Sequence, residues 1–173
     1  MTSLERLWAG WRSSYIDSVT GKPVSKAEGD CVFCSILAGE DSDEDAYIVW
    51  RHPAGGAFAI LNAYPYASGH LMVMPTRHVA DLEAMSAQEA SALWEGLRDA
   101  VVALKAAYRP DGVNVGANLG KSAGAGVPGH LHMHAVPRWA GDTNFMTSVA
   151  NTRVLPEALS VSASRVRDSW PSK

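Results

Sequence analysis

The chain has 173 residues, 47% of them hydrophobic and 19% charged, and a formal net charge of −3. That length and apolar content fit one compact domain with its own core, and they set disorder aside as its main character. No apolar stretch approaches the ~18 residues of a membrane span, and no basic excess supplies the field that nucleic-acid binders use, so neither a membrane nor a nucleic acid is expected as partner.

In chain order, residues 1–30 read as an N-terminal extension. Within it Leu4, Leu7, Trp8 and Trp11 fall at helical spacing over 4–17, although Gly10 weakens that helix. Charges run through this segment where a signal peptide would carry an apolar block, which points to a cytoplasmic protein. Residues 31–139 form the expected core. A short helical turn follows Cys31 and stops at Gly39, and the acidic run 41–45 is a solvated linker. Apolar runs 46–51 and 56–62 read as strands joined by the turn His-Pro-Ala-Gly-Gly, and 70–75 as a third strand. A turn into a short helix is expected over 76–85.

The strongest helix signal covers 87–108. Ser86 and Glu89 form a capping box, Ala90, Leu93, Trp94, Leu97, Val101, Leu104 and Tyr108 trace an apolar stripe, and Pro110 stops the helix. Residues 112–120 and 130–139 read as strands flanking a glycine-rich loop. The C-terminal extension 140–173 carries an amphipathic helix over 155–170. The pattern predicts a single α+β domain, a mainly antiparallel sheet with one long helix and shorter helices packed on it.

Chemistry concentrates in the two cysteines and six histidines. Cys31 and Cys34, two residues apart, suit either a metal or a redox couple. His130, His132 and His134 alternate with Leu131, Met133 and Ala135, so a strand places the three imidazoles on one face, ~6.5–7 Å apart, and the apolar residues on the other. Such a face could carry a nucleophile or a metal. The preceding loop contains Asn118, Gly120, Lys121, Ser122, Gly124, Gly126 and Gly129. Its main chain can approach an anion closely, with an amide, a hydroxyl and a cation beside it.

The run His130-Leu131-His132-Met133-His134-Ala135-Val136 resembles the signature of the histidine-triad family, and the resemblance extends over most of the chain. It implies the histidine-triad fold and a nucleotidyl transferase or hydrolase in which His132 attacks the α-phosphorus of a nucleotide. On this resemblance His134 supports the phosphate and leaving group, His70 sits beside the triad, Asn118 helps hold the α-phosphate and Asn62 contacts the ribose. Many relatives carry Ser or Thr three residues before the first histidine. Here Val127 stands there, so Ser122 or the main chain of Gly124 to Gly126 takes the donor role. Zinc-bearing relatives imply a structural Zn²⁺ on Cys31, Cys34, His78 and His130.

The leader LERLWAGWRSSYI, the PRW after the triad and the later GDTNFM resemble the branch of diadenosine tetraphosphate (Ap4A) phosphorylases. That branch implies Ap4A and inorganic phosphate as substrates, ATP and ADP as products, and Trp139 and Asn144 near the nucleotide. Lys121 and Arg138 would balance polyphosphate charge. Hydrolysis of dinucleoside polyphosphates or nucleoside phosphoramidates, and a nucleotide-binding interaction protein with little turnover, are the alternatives. The family commonly dimerises through the long helix and a sheet edge.

Overall fold

The computed structural model describes residues 31–142 and 157–172. The helix expected over 4–17 and Asn144 lie outside the described residues. Five strands, β1 (Ile48–Arg51), β2 (Ala57–Leu61), β3 (Leu71–Pro75), β4 (Gly112–Gly116) and β5 (Met133–Arg138), form one sheet in the order β1-β2-β3-β5-β4. Every neighbouring pair is antiparallel, as expected. Among the described residues three α-helices accompany it: α1 (Val32–Ala38), α2 (Ala87–Tyr108) and α3 (Leu159–Asp168). Among the described residues no helix is long and apolar enough to cross a membrane.

Alternation along the central strands divides the core in two. Ala59, Leu61, Leu71 and Val73 face α2 and α3, where they meet Leu93, Leu97, Ala100, Ala103, Leu104 and Val166. Phe58, Ile60, Met72 and Met74 point the other way and pack with Cys31 and Phe33 of the α1 segment. With both faces covered, β2 and β3 are buried throughout, which is why their sequences read as nearly unbroken apolar runs.

The long helix has the expected bounds and capping box: Ser86 accepts from the Glu89 N–H and the Glu89 carboxylate accepts from the Ser86 N–H. Its buried face differs from the expected stripe. Ala92, Gly96, Ala100 and Ala103 join Leu93, Leu97 and Leu104 inside, whereas Trp94 is 69% exposed. Small residues let the helix settle close on the sheet; a Cβ on Gly96 would stand 2.5 Å from the Trp50 ring. Side-chain size alone predicts Trp94 inside, but the close approach at Gly96 leaves no room for an indole on that face.

Two strand boundaries also move. β4 ends at Gly116, short of residue 120, and β5 begins at Met133, after His130. The reason is tertiary: the Leu131 N–H donates to the Val79 carbonyl at 2.7 Å and the His130 ring bonds the Pro75 carbonyl at 2.8 Å. This segment clasps the chain leaving β3 before it enters the ladder. The expected helix over 76–85 is one 3-10 turn, Leu82–Ala84. The C-terminal helix docks through Ser162, Ala163 and Val166, and beyond it Trp170 stacks on Trp50.

Candidate active site and metal cluster

The alternation of the histidine segment persists through its irregular start. Leu131, Met133 and Ala135 pack into the core on the α2 side. His134 stands opposite Met72 in the ladder and so shares the other face. The Phe33 ring lies 5.5 Å from the rings of both His130 and His132, and the His132 and His134 rings are 5.1 Å apart.

Hydrogen bonds fix the proton on each ring. His132, 6% exposed, places Nδ1 2.8 Å from the His130 carbonyl. A carbonyl only accepts, so Nδ1 carries the proton and Nε2 is left with a free lone pair. Burial pulls the His132 pKa below the usual histidine value, against the opposing hydrogen bond to His130. His132 is therefore a neutral imidazole at neutral pH, with a nucleophilic Nε2.

A second chain of bonds sets His134. The Tyr66 N–H donates to His70 Nδ1 at 3.0 Å, so the His70 proton sits on Nε2, which donates to His134 Nδ1 at 2.9 Å. Neutral His134 consequently carries its own proton on Nε2. Asn62 Oδ1 accepts from the Tyr64 N–H at 2.9 Å, which turns Nδ2 toward His70 Nδ1 at 3.4 Å. Burial, helped by the nearby His132, pulls the His134 pKa down to about 4. Two adjacent neutral rings result, one offering a lone pair and the other an N–H.

The glycine loop is anchored at both ends by this segment. Gly116, where β4 ends, pairs with His134, and the loop closes where the His130 N–H donates to the Val127 carbonyl. Gly120 and Gly124 adopt positive φ of 78° and 92° around the turn Lys121–Ala123. Asn118 Nδ2 donates to the Gly124 carbonyl at 3.4 Å. Lys121 and Ser122 are exposed and Gly126 is half-buried. Val127 packs against the Cys31 and Phe33 cluster. Arg138 is bound to Asp142 and Asn114, and Trp139 lies edge-on to Tyr108 with ring centroids 6.2 Å apart, so neither joins the histidine rings.

Cys31, Cys34, His78 and His130 offer four ligand atoms, all within 4.8 Å of one another. His130 Nδ1 lies 3.4 Å from Cys31 Sγ and 3.6 Å from Cys34 Sγ, and His78 Nδ1 lies 3.4 Å from Cys34 Sγ. Tetrahedral zinc, with Zn–S of about 2.3 Å and Zn–N of about 2.0–2.1 Å, separates sulfur from nitrogen by about 3.5 Å. The donor set could therefore hold zinc. His130 Nε2 donates to the Pro75 carbonyl, leaving the Nδ1 lone pair for a metal, the outer-shell arrangement expected of a ligating histidine.

Two neighbours of the site escaped the sequence reading. Phe33, inside the Cys-x-x-Cys, touches the rings of both His130, one of the four clustered residues, and His132. Tyr66, four residues before His70, places its ring centroid 4.6 Å from that of His70 and near-parallel to His134 at 6.2 Å. Proximity in sequence to Cys34 and His70 was the only available signal for either.

Comparison with known proteins gives one consistent match. The model of the HIT domain family matches residues 52–141. The chain is 39% identical over 169 residues to a protein named AP-4-A phosphorylase from Mycobacterium tuberculosis H37Rv, covering 96% of this chain and 85% of that one. A crystal structure of a zinc-bound histidine triad family protein from Mycobacterium smegmatis superposes with a TM-score of 0.66 at 27% identity, covering 83% of this chain and 94% of that one. A hypothetical histidine triad nucleotide-binding protein from Sulfolobus tokodaii gives a TM-score of 0.65 at 29% identity, covering 80% and 91%.

Proposed function

The chain belongs to the HIT domain family, and from that premise we propose that it is a nucleotidyl transferase that splits Ap4A by phosphorolysis into ATP and ADP. The observation that carries this reading is the 39% identity to the mycobacterial AP-4-A phosphorylase along nearly the whole chain. The fixed tautomers of the histidine pair support the chemistry.

In the first step His132 Nε2 attacks the α-phosphorus. A nitrogen–phosphorus bond forms, the bond from that phosphorus to the bridging oxygen breaks, and ATP leaves with the bond's electron pair. The imidazole gains positive charge as it is phosphorylated, and its Nδ1–H points at the His130 carbonyl, which stabilises that charge. His134 Nε2–H donates a hydrogen bond to phosphate oxygen as charge builds there. In the second step an oxygen of inorganic phosphate attacks the adenylyl phosphorus, the nitrogen–phosphorus bond breaks, ADP leaves and His132 is restored. Asn118, Lys121, Ser122 and the main chain around Gly124 and Gly126 would cradle the phosphates, with Asn62 and Trp139 on the nucleoside side.

The proposal includes Zn²⁺ held by Cys31, Cys34, His78 and His130. Four protein ligands close a tetrahedral site, so the ion would serve structure only. It would tie the α1 segment to His130, whose carbonyl orients His132. A cytoplasmic setting suits thiols that must stay reduced. A homodimer is part of the same proposal, and Trp94 and Val102, 69% and 47% exposed, give the long helix an apolar outer surface.

The test is incubation with Ap4A, with and without inorganic phosphate, followed by chromatographic separation of the nucleotides. ATP plus ADP formed only with phosphate is the expected result. ATP plus AMP formed without phosphate would replace phosphorolysis by hydrolysis, and intact Ap4A in both samples would reject the substrate.

A further inference from the structure

The residue before His70 is Gly69, with φ of +78°, and a Cβ built there would stand 2.5 Å from Cε2 of Tyr108 and 3.1 Å from its Cδ2 and Cζ. The tyrosine ring, at the last position of α2, thus lies directly against the main chain that delivers His70. That main chain also carries the Tyr66 N–H that fixes the His70 tautomer.

Tyr108 is itself gripped from several sides. Its hydroxyl donates to Glu157 Oε1. The same oxygen accepts from Ser162 Oγ at 2.7 Å, while Glu157 Oε2 pairs with Arg165 at 3.3 Å. The Arg165 guanidinium also sits 5.2 Å from the centre of the Tyr108 ring, and Trp139 stands T-shaped to it. Burial and the hydrogen bond to Glu157 push the phenol up to about 12, so it remains a neutral donor. Glu157, Ser162 and Arg165 all lie beyond residue 141, where the match to the family domain ends.

We propose that Tyr108, locked by Glu157 and Arg165 of the C-terminal segment, is a positioning residue that holds the Gly69–His70 main chain and thereby the hydrogen bond from His70 to His134. This rests on the proposed reaction for its kinetic consequence but not for its structural one. Loss of the ring frees the turn before His70 to relax into the vacated space. A shift of about 1 Å at a group that orients a reacting side chain is enough for a large rate effect.

The test compares Tyr108→Ala, Tyr108→Phe and Glu157→Gln with the unaltered protein. The readouts are kcat and KM for Ap4A with phosphate, and the imidazole ¹⁵N resonances of His70 and His134. In Tyr108→Ala kcat should fall about tenfold or more with KM within about twofold, and the ring nitrogens of both histidines should shift. Tyr108→Phe, which keeps the ring against Gly69, should recover most of the rate. Glu157→Gln should shift the same resonances to a smaller extent, and it gives the answer if Tyr108→Ala does not fold. Unchanged imidazole signals in the folded variants would overturn the proposal. The resonances decide it even if Ap4A proves not to be the substrate.

Discussion

Replacing His70 by Leu separates the packing of this side chain from its hydrogen bonds. His70 is fully buried, and leucine fills a similar volume without a polar atom. At least three groups lose a partner: the Tyr66 N–H, 3.0 Å from Nδ1, Asn62 Nδ2, 3.4 Å from the same nitrogen, and His134 Nδ1, 2.9 Å from Nε2. A buried polar group left unpaired costs about 1–3 kcal/mol. His134 is only half-buried, so water can reach it in part, and the expected destabilisation is about 2–4 kcal/mol. The kinetic effect follows from the tautomer: with no donor at Nδ1, the His134 proton distributes between the two nitrogens and the ring is free to turn. A positioned acid–base group is worth about 10²–10⁴-fold in rate, which bounds the loss. Because His134 itself remains, kcat should fall by about 10- to 100-fold. Urea unfolding gives the first quantity, and nucleotide separation after timed incubation with Ap4A and phosphate gives the second. A His70→Leu protein with wild-type kcat would refute the chain of bonds from Tyr66 through His70 to His134.

Elemental analysis of protein purified without chelator should find one zinc per chain, and Cys34→Ser should lose the metal together with thermal stability; a metal-free protein that melts like the wild type would refute the four-ligand cluster. His134, with its pKa lowered to about 4 in the fold, binds fewer protons than the unfolded chain below about pH 6.5, so its contribution to stability is complete above that pH and is lost as pH falls toward about 4. Urea midpoints should therefore decline across this window, less steeply in His134→Gln; equal slopes would contradict the buried neutral ring. In Gly96→Ala the added methyl meets Trp50 at 2.5 Å and 2.9 Å and Val73 at 3.0 Å. Overpacking of about 1–3 kcal/mol outweighs the gain in helix propensity of about 1 kcal/mol, so the melting temperature should drop; a rise would mean that the sheet yields.

The parts of the fold set by local chemistry were legible in the sequence. Ser86 and Glu89 marked where the long helix starts, and the glycines after His52 marked the β1–β2 turn. The alternation of His130, His132 and His134 with apolar residues marked one face shared by the imidazoles and an opposite one packed into the core. What escaped depends on partners distant in sequence. Nothing near Trp94 shows that the helix lies down on Gly96 and not on its indole. The clasp between residues 130–131 and 75–79 delays the start of β5, and no local pattern encodes it. For the same reason the Tyr108 and Glu157 contact, which joins two chain regions 49 residues apart, was invisible. The bonds from Asn62 to His70 and Tyr64, beside the ribose contact expected of it, also have no signal in the local pattern. The two cysteines alone left metal and redox chemistry open, and the approach of His78 and His130 to both sulfurs favours the metal.

The central claim is that His132 Nε2 becomes covalently attached to the nucleotide. It is tested most directly by mixing the protein with Ap4A in the absence of phosphate, quenching within the first turnover and measuring the intact mass. A gain of one adenylyl group, mapped by peptide fragmentation to His132, absent from His132→Ala and discharged as ADP when phosphate is added, is the predicted result. Turnover of Ap4A by the wild type with no adduct, or with the adduct on another residue, would contradict it.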